Sequence, residues 1–204
     1  MSVEETLLIF IKNPVLGRVK TRLAAALGAE AALAAYQELL AYTRAVATRT
    51  ACRRRLYYSD YLPEADEWPT DLFEKHLQSG ADLGLRMANA FESAFEAGAD
   101  RVLIIGSDCP GITPEILAEG FDALHACDFV LGPSADGGYY LLGMRRFQAA
   151  VFEGIAWSSP TVCAETRLRM QALGGDCRML PVLTDIDTEA DWNAIGRRVG
   201  LFPE

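Results

Sequence analysis

Short, continuously apolar runs alternate along the chain with longer segments of helical spacing, and this alternation limits the fold more than any other feature. Apolar runs of strand length bury both of their faces most often in parallel sheets that helices cover on both sides. The alternation therefore predicts an α/β protein with a mostly parallel central sheet. The five runs are TLLIFI (6–11), RRLYYS (54–59), RVLIIGS (101–107), DFVLGP (128–133) and YYLLGM (139–144).

The segments between these runs carry helical patterns and helix start signals. Apolar residues recur at helical spacing over 30–47 and over 83–98. Thr113-Pro114 combines an N-cap residue with a first-turn proline, Ser159-Pro160 repeats this combination, and Thr188 opens a capping box. We expect helices at these places to cover the two faces of the sheet.

The length and composition of the chain favour a single domain. It has 204 residues, 50% of them hydrophobic, which is enough for one sizeable core. It contains no internal repeat, low-complexity tract or linker, so we predict one domain over 1–204. The runs at 128–133 and 139–144 leave no room for a helix between them, which predicts an antiparallel excursion near 128–144. The acidic segment 60–72, with two prolines, is interpreted as a surface loop.

The charge balance of the chain limits its partners. Its formal net charge is −9, because 28 acidic residues outnumber 19 basic ones. Such a surface repels phosphate backbones, so we expect no nucleic-acid partner. A small anionic ligand would need local cations, or a metal ion, to overcome this overall repulsion.

The cysteine pattern indicates a reducing compartment, and the histidine positions argue against a zinc site. The two histidines, His76 and His125, have no His or Cys at ligand spacing nearby. No run is long enough for a membrane span or a signal peptide, so we expect a soluble cytoplasmic protein. The five cysteines are scattered without a CxxC pair, as is usual for reduced thiols: Cys52, Cys109, Cys127, Cys163 and Cys177.

A basic segment follows the first apolar run, in the stretch FIKNPVLGRVKTRL (10–23). Ligands of open α/β sheets bind beyond the carboxyl ends of the strands, so cations placed here can hold an anion. If 18–22 is extended, Arg18, Lys20 and Arg22 share one side; if it is helical, Arg18 and Arg22 share a face and Lys20 points elsewhere. The segment could also be a solvated first turn of a helix. We interpret it as a phosphate-binding segment.

Aspartates follow three of the later strands or extended segments. Asp108, after RVLII, either caps a sharp turn or faces a hard cation such as Mg²⁺. Asp136, in Asp136-Gly137-Gly138, fits a hairpin turn, although the glycines would also let backbone approach a ligand. Alternation in VLTDID would place Asp185 and Asp187 on one side, as a solvated face or a cation site. The spacing of these residues in the sequence does not show whether Asp187 lies near Asp108.

The segment QSGADLGLRM (78–87) precedes the second helical pattern. Asp82 is placed to cap that helix. Gln78 and Gly80 are then free to contact a base edge or a sugar.

Five stretches in this order resemble the nucleotide-diphospho-sugar transferase superfamily, and more narrowly a bacterial glycosyltransferase-like branch of it. They span nearly the whole chain: FIKNPVLGRVKTRL, QSGADLGLRM, GSDCPGI, GPSADGGYYLLG and LTDIDTEADW. The resemblance implies a Rossmann-like α/β/α sandwich of the GT-A type. It departs from the DxD pattern of glycosyltransferases, because that position reads Ser107-Asp108-Cys109.

The resemblance also implies roles for individual residues. Lys20 and Arg22 would hold donor phosphates, with Lys12, Gly17 and Arg18 completing the phosphate-binding loop. Gln78 and Gly80 would lie near the nucleobase. Asp108 and Asp187 would bind Mg²⁺ or Mn²⁺, and Asp136 would border the acceptor. Lys20, Asp108 and Asp136 are the implied catalytic residues.

Three functions stay open. The first is nucleotidyl transfer from an NTP to a small phosphorylated acceptor, which needs cations for the phosphate tail and no protein nucleophile. The second is glycosyl transfer from a nucleotide diphospho-sugar to a small-molecule acceptor, with Asp136 as the base. The third is a non-catalytic nucleotide-binding module. We favour the first, because a diphosphate leaving group on Mg²⁺ needs a basic loop less than the phosphate tail of an NTP does. The oligomeric state is left open, with a homodimer as one alternative.

Overall fold

A seven-stranded sheet lies at the centre of the structure, a computed structural model in which residues 3–196 are described. The strand order is β3-β2-β1-β4-β6-β5-β7. The strands are β1 (Glu5–Ile11), β2 (Arg53–Tyr58), β3 (Glu74–Leu77), β4 (Arg101–Ile105), β5 (Phe129–Pro133), β6 (Tyr139–Met144) and β7 (Cys177–Met179). The α-helices are α1 (Thr21–Leu27), α2 (Ala29–Arg49), α3 (Leu83–Glu96), α4 (Pro114–Ala123), α5 (Val162–Ala172) and α6 (Glu189–Asp191), with a 3₁₀ turn at Ala149–Phe152 and a π turn at Trp192–Gly196.

The pairing of the strands confirms the predicted sheet. β1 pairs in parallel with β2 and β4, β2 with β3, and β5 with β7. β6 alone runs antiparallel, against both β4 and β5. The turn between β5 and β6 is too short for the helical crossover that a parallel neighbour requires. The antiparallel excursion expected near 128–144 is therefore confirmed.

Both faces of the sheet are buried, as the apolar runs predict. Leu7 and Ile9 of β1 point into one core cluster, and Leu8, between them, points into the other. A third, smaller cluster includes Leu23 of α1 and Ile186, both fully buried. This third cluster packs the end of the described chain against the helix that follows the basic segment.

Helix starts and the acidic loop largely follow the predictions. The side chains of Asp82 and Thr113 accept hydrogen bonds from Leu85 N at 2.8 Å and Ile116 N at 3.3 Å. Thr188 forms a capping box with Asp191. The segment 60–72 contains no helix or strand. The Ser159-Pro160 prediction is wrong in detail, because α5 begins at Val162 and no side chain caps it.

The sequence patterns missed the two edge strands and one helix boundary. β3 reads EKHL and buries no residue fully, while β7 has only three residues, so neither shows an apolar run. Gly28, with φ +89°, separates α1 from α2. Edge strands are short and half exposed, which removes the signal that identifies central strands.

Residues 1–2 and 197–204 lie outside the described residues, so the domain over 1–204 stays a prediction. Among the described helices, none combines the length and apolar character that a membrane crossing needs. All five cysteines are free thiols.

Candidate functional site

A cavity of about 560 Å³ opens beyond the carboxyl ends of β1 and β4, where the fold rule places ligands. We call it the large cavity. Its walls come from the basic segment, from the turn after β4, from the β5–β6 turn and from residues 157–160. Its lining includes Lys12, Arg18, Lys20, Arg22, Asp108, Asp136, Trp157 and Asp187.

Lys20 is buried at the floor of this cavity, with 4% of its side chain exposed. Its Nζ lies 2.8 Å from Asp108 Oδ1 and 3.2 Å from Asp187 Oδ1. It also donates to the Ile186 carbonyl at 2.5 Å. One ammonium group thus joins residues that are up to 167 positions apart in the chain.

The backbone of the basic segment directs Lys20 inward. The segment is neither a continuous strand nor a continuous helix: a turn covers 16–18, and α1 begins at Thr21. Lys20 precedes the helix with φ 47° and ψ 46°, in the left-handed region. Its side chain turns into the protein, whereas that of Arg22 is 79% exposed and lies 3.9 Å from Asp187. Neither alternative for 18–22 therefore describes the segment.

Asp108 and Asp187 reach the same point by different routes. Asp108 lies in the turn after β4, and its carbonyl accepts a hydrogen bond from Ile186 N at 2.9 Å. Ile186 is buried in the third cluster, so the two aspartates beside it, Asp185 and Asp187, face the other way. Asp187 borders the large cavity and Asp185 a smaller one. The structure thus brings together Lys20, Asp108 and Asp187.

The three other cations of the basic segment surround this floor. Lys12, Arg18 and Arg22 all line the large cavity and are exposed. Gly17 does not line it, but has φ +76° in the turn that precedes Arg18. A left-handed conformation of this kind favours glycine. The cavity therefore has a positive rim in a protein of negative net charge.

A smaller, mostly apolar cavity of about 300 Å³ adjoins the large one, and we call it the small cavity. The two share Lys12, Tyr36, Leu83, Asp108 and Tyr139. Its remaining walls include apolar side chains from β1, β4 and α3, among them Phe10, Ile104 and Met87. A planar or apolar ligand group fits such a lining better than a phosphate does.

Gln78 and Gly80 have structural contacts here. Gln78 lines the small cavity, but its amide donates to the carbonyls of Ile11 at 3.1 Å and Tyr57 at 3.2 Å. The Gly80 carbonyl accepts from Arg86 Nε at 3.2 Å. The amide nitrogen of Gln78 therefore ties β1 to β2, and donation from it to a base edge would have to replace one of these bonds. Its Oε1 accepts from Arg86 Nη1 at 3.4 Å and keeps a second lone pair for a donor.

The turn that contains Asp136 forms the opposite wall. Asp136 Oδ1 accepts from Gly138 N at 2.9 Å, so its side chain braces its own turn while bordering the large cavity. Gly137 has φ +92°, and a Cβ there would lie 2.0 Å from the Pro160 carbonyl oxygen. The backbone at Pro160 therefore lies directly against this turn.

Tyr36 is a site residue that the sequence patterns did not identify. Its hydroxyl donates to the Lys12 carbonyl at 3.1 Å, accepts from Lys12 N at 2.9 Å and contacts Ser107 Oγ at 3.2 Å. Burial, and secondly the charge of Asp108, raise its pKa above the usual range, so the hydroxyl stays protonated. Tyr36 thereby joins the loops after β1 and β4. Its position in the apolar pattern of α2 is typical of a core residue. Only the contacts of its hydroxyl show that it belongs to the site.

The residues at the floor of the large cavity fit a divalent cation held by two carboxylates. The Lys20 ammonium marks a point that oxygens of Asp108 and Asp187 both approach within 3.2 Å. Mg²⁺ commonly takes one or two carboxylates and fills its remaining positions with water and phosphate. No group of three or more His, Cys, Asp or Glu side chains in residues 3–196 is disposed to hold a metal ion. A two-carboxylate site completed by a ligand is the arrangement these residues allow.

Asp185 adds a third acidic group with an unusual titration. Burial, followed by the charges of Asp108 and Asp136, raises its pKa from 3.8 to about 6. The unfolded chain ionises first as the pH rises, so this group lowers the free energy of unfolding between pH 4 and 6, and the loss is complete above pH 6.

Asp185→Asn should therefore become more stable relative to the unmodified protein as the pH rises. We expect almost no difference from this titration at pH 3 and a gain of about 3 kcal/mol at pH 8, because each pKa unit corresponds to about 1.4 kcal/mol. Melting temperatures measured with EDTA across this range test the prediction. The exposed Asp122→Asn variant serves as control for the substitution itself. A stability difference for Asp185→Asn that does not change with pH would contradict the prediction.

Comparison with known proteins places the chain in a family. Residues 41–159 match the family model described as "Uncharacterized protein conserved in bacteria (DUF2064)". A crystal structure from Desulfovibrio desulfuricans G20, described as a candidate nucleotide-diphospho-sugar transferase, is 31% identical with a TM-score of 0.87. The match covers 98% of this chain and 93% of that one. A search of curated proteins gives no match.

More distant solved structures share the fold at low identity. CMP:2-keto-3-deoxy-manno-octonic acid synthetase with CTP is 14% identical, with a TM-score of 0.57 and coverage of 96% of this chain and 98% of that one. The manganese complex of Rv0371C from Mycobacterium tuberculosis H37Rv is 14% identical, with a TM-score of 0.51 and coverage of 95% and 98%. The matched family model covers more than half of the chain, and the 31% identical structure covers 98% of it. The chain therefore belongs to the DUF2064 family, and it has the fold of the nucleotide-diphospho-sugar transferase superfamily.

Proposed function

We propose that this protein is a nucleotide-utilising transferase, and specifically that it transfers a nucleotidyl group from an NTP to a small phosphorylated acceptor. The observation that carries the proposal is the convergence of Lys20, Asp108 and Asp187 beneath a rim of further cations. The relative from Desulfovibrio desulfuricans supports a transferase in general. The nucleotide-bound and manganese-bound neighbours support only the shared fold.

The two adjoining cavities suit the two halves of a nucleotide. The small cavity, lined by Phe10, Met87 and Tyr139, would take the nucleoside. The large cavity, with Lys12, Arg18 and Arg22, would take the phosphate tail. Apolar walls stabilise a base, while cations offset phosphate charge that the acidic surface otherwise repels.

The chemistry proposed for these residues is positioning and charge stabilisation. The cationic rim holds the phosphates, and Asp108 and Asp187 would hold Mg²⁺ or Mn²⁺, which would neutralise charge on the reacting phosphate when bound. Asp136 and residues 157–160 border the space left for the acceptor. Neither His76 nor His125 lines either cavity, and a phosphorylated acceptor brings its own nucleophilic oxygen.

Glycosyl transfer from a nucleotide diphospho-sugar is the second candidate. The name of the 31% identical relative favours it, and Asp136 lies at the cavity wall where an acceptor base would be needed. Against it, Asp136 already accepts a hydrogen bond from Gly138 N.

A thermal-shift screen separates these candidates. Ligands that bind the native state stabilise it by mass action and raise the melting temperature. The free energy of unfolding rises by about 2.7 kcal/mol when the ligand concentration is a hundredfold above Kd. We expect shifts with NTPs and Mg²⁺ that are larger than those with UDP-, GDP- or ADP-sugars. Shifts with nucleotide sugars alone would replace nucleotidyl transfer by glycosyl transfer. No shift with either class would reject the proposed function.

A further inference from the structure

Lys20 is already paired with three oxygens of the protein. An ammonium group has three N–H donors and no acceptor. Its Nζ donates hydrogen bonds to the Ile186 carbonyl at 2.5 Å and to Asp187 Oδ1 at 3.2 Å, and it forms an ion pair with Asp108 Oδ1 at 2.8 Å. In this arrangement the ammonium group faces protein oxygens and not a phosphate, although the side chain lies at the floor of the cavity proposed to hold one.

The same ammonium group occupies the point that a bridging divalent cation would take. The carboxylates of Asp108 and Asp187 are 43% and 46% exposed, while the Lys20 side chain is 4% exposed. The positive charge between them opposes a second cation at close range, and partial burial weakens the screening by water. A cation and the Lys20 ammonium therefore compete for the same two carboxylates.

We propose that Lys20 acts as an internal counter-cation, which keeps the Asp108–Asp187 pair closed to divalent metal until the phosphates of a nucleotide draw Lys20 away. This inference rests on the function proposed above and describes how its site is regulated. Metal and nucleotide then bind with positive coupling, and each raises the affinity of the other by the same factor.

The backbone at Lys20 is consistent with a residue held in place by these contacts. Among the described non-glycine residues, Lys20 and Ser158 are those with positive φ. Such conformations persist where surrounding interactions maintain them, and they concentrate at functional sites. The ion pairs with Asp108 and Asp187 and the hydrogen bond to the Ile186 carbonyl are the contacts that hold the Lys20 side chain.

The test is a titration with Mn²⁺ alone, without nucleotide, in which free Mn²⁺ is followed by electron paramagnetic resonance. Lys20→Met should bind Mn²⁺ at least about tenfold more tightly than the unmodified protein, because it frees both carboxylates. Lys20→Gln is a second neutral variant, in case the methionine variant does not fold. Adding Asp108→Asn to either variant should remove the gain, which locates the ion.

Arg18→Met is the matched control. It removes one positive charge from the wall of the same cavity, but Arg18 is not an ion-pair partner of Asp108 or Asp187. We expect its Mn²⁺ affinity to stay within about threefold of the unmodified protein. An equal gain in Arg18→Met and Lys20→Met would overturn the proposal, since a general charge effect would then explain both.

Two further outcomes would also overturn the proposal that Lys20 is an internal counter-cation. One is a folded Lys20 variant that binds Mn²⁺ no more tightly than the unmodified protein. The other is tight Mn²⁺ binding by the unmodified protein that Asp108→Asn alone weakens about tenfold or more, because the pair would then be open with Lys20 in place. Neither outcome bears on the nucleotide screen, so the inference and the proposed function can fail separately.

Discussion

Asp108→Asn is expected to lower the rate of nucleotidyl transfer by about a thousandfold or more, while the protein keeps its fold. Asp108 is one of two carboxylates that would hold the metal, and electrostatic stabilisation of a reacting phosphate is usually a large part of catalysis. Nucleotide binding without metal should not weaken, because the change removes a negative charge beside the phosphate site. The measurements are pyrophosphate release under saturating Mg²⁺ and nucleotide affinity in EDTA.

Asp122→Asn is the matched control for this change. It makes the same substitution at an exposed position near the end of α4, and it should leave both the rate and the melting temperature unchanged. If Asp108→Asn left turnover within about tenfold of the unmodified protein, the metal role of Asp108 would be wrong. The unmodified protein could also show no turnover, with a nucleotide affinity that is independent of Mg²⁺ both in it and in Asp108→Asn. A non-catalytic nucleotide-binding module would then be the better description.

Lys20→Ala is expected to weaken the affinity for an NTP about 10- to 100-fold in EDTA, and to leave the affinity for the matching nucleoside nearly unchanged. Hydrogen bonds to charged groups contribute about 1.5–3 kcal/mol, which corresponds to this range. The selectivity follows from position, because Lys20 lines the large cavity and not the small one. Isothermal titration calorimetry with both ligands provides the measurement.

Lys75→Ala controls for the loss of a lysine ion pair. Lys75 bonds to Asp66 at 2.6 Å, and neither residue lines the large or the small cavity. This variant should bind both ligands as the unmodified protein does. An equal loss of NTP and nucleoside affinity in Lys20→Ala would mean that Lys20 supports the structure of the site and does not contact the phosphates.

The catalytic role of Asp136 remains a prediction with a competing explanation. The sequence allowed a hairpin turn for Asp136-Gly137-Gly138, and the resemblance implied a place beside the acceptor; the structure shows the turn at the wall of the large cavity. The carboxylate braces the turn through Gly138 N, and the same residue borders the large cavity.

The sequence by itself determined the class of fold and most element starts. Strand runs, helical spacing and capping residues are local patterns, read within a few residues, which is why β1, β4, β5 and β6 and the caps at Asp82, Thr113 and Thr188 were predictable. It also placed basic residues after β1 and Asp108 after β4. The carboxyl ends of these parallel strands lie at the same edge of the sheet.

Only the tertiary structure decided which of these residues meet. Lys20 turns inward while Arg22 stays exposed, because a left-handed residue ends the turn before α1. Asp187 reaches Asp108 because buried Ile186 anchors the chain between Asp185 and Asp187. Gln78 is occupied by the carbonyls of β1 and β2. These contacts join positions far apart in the chain, and residue spacing carries no information about packing between distant segments.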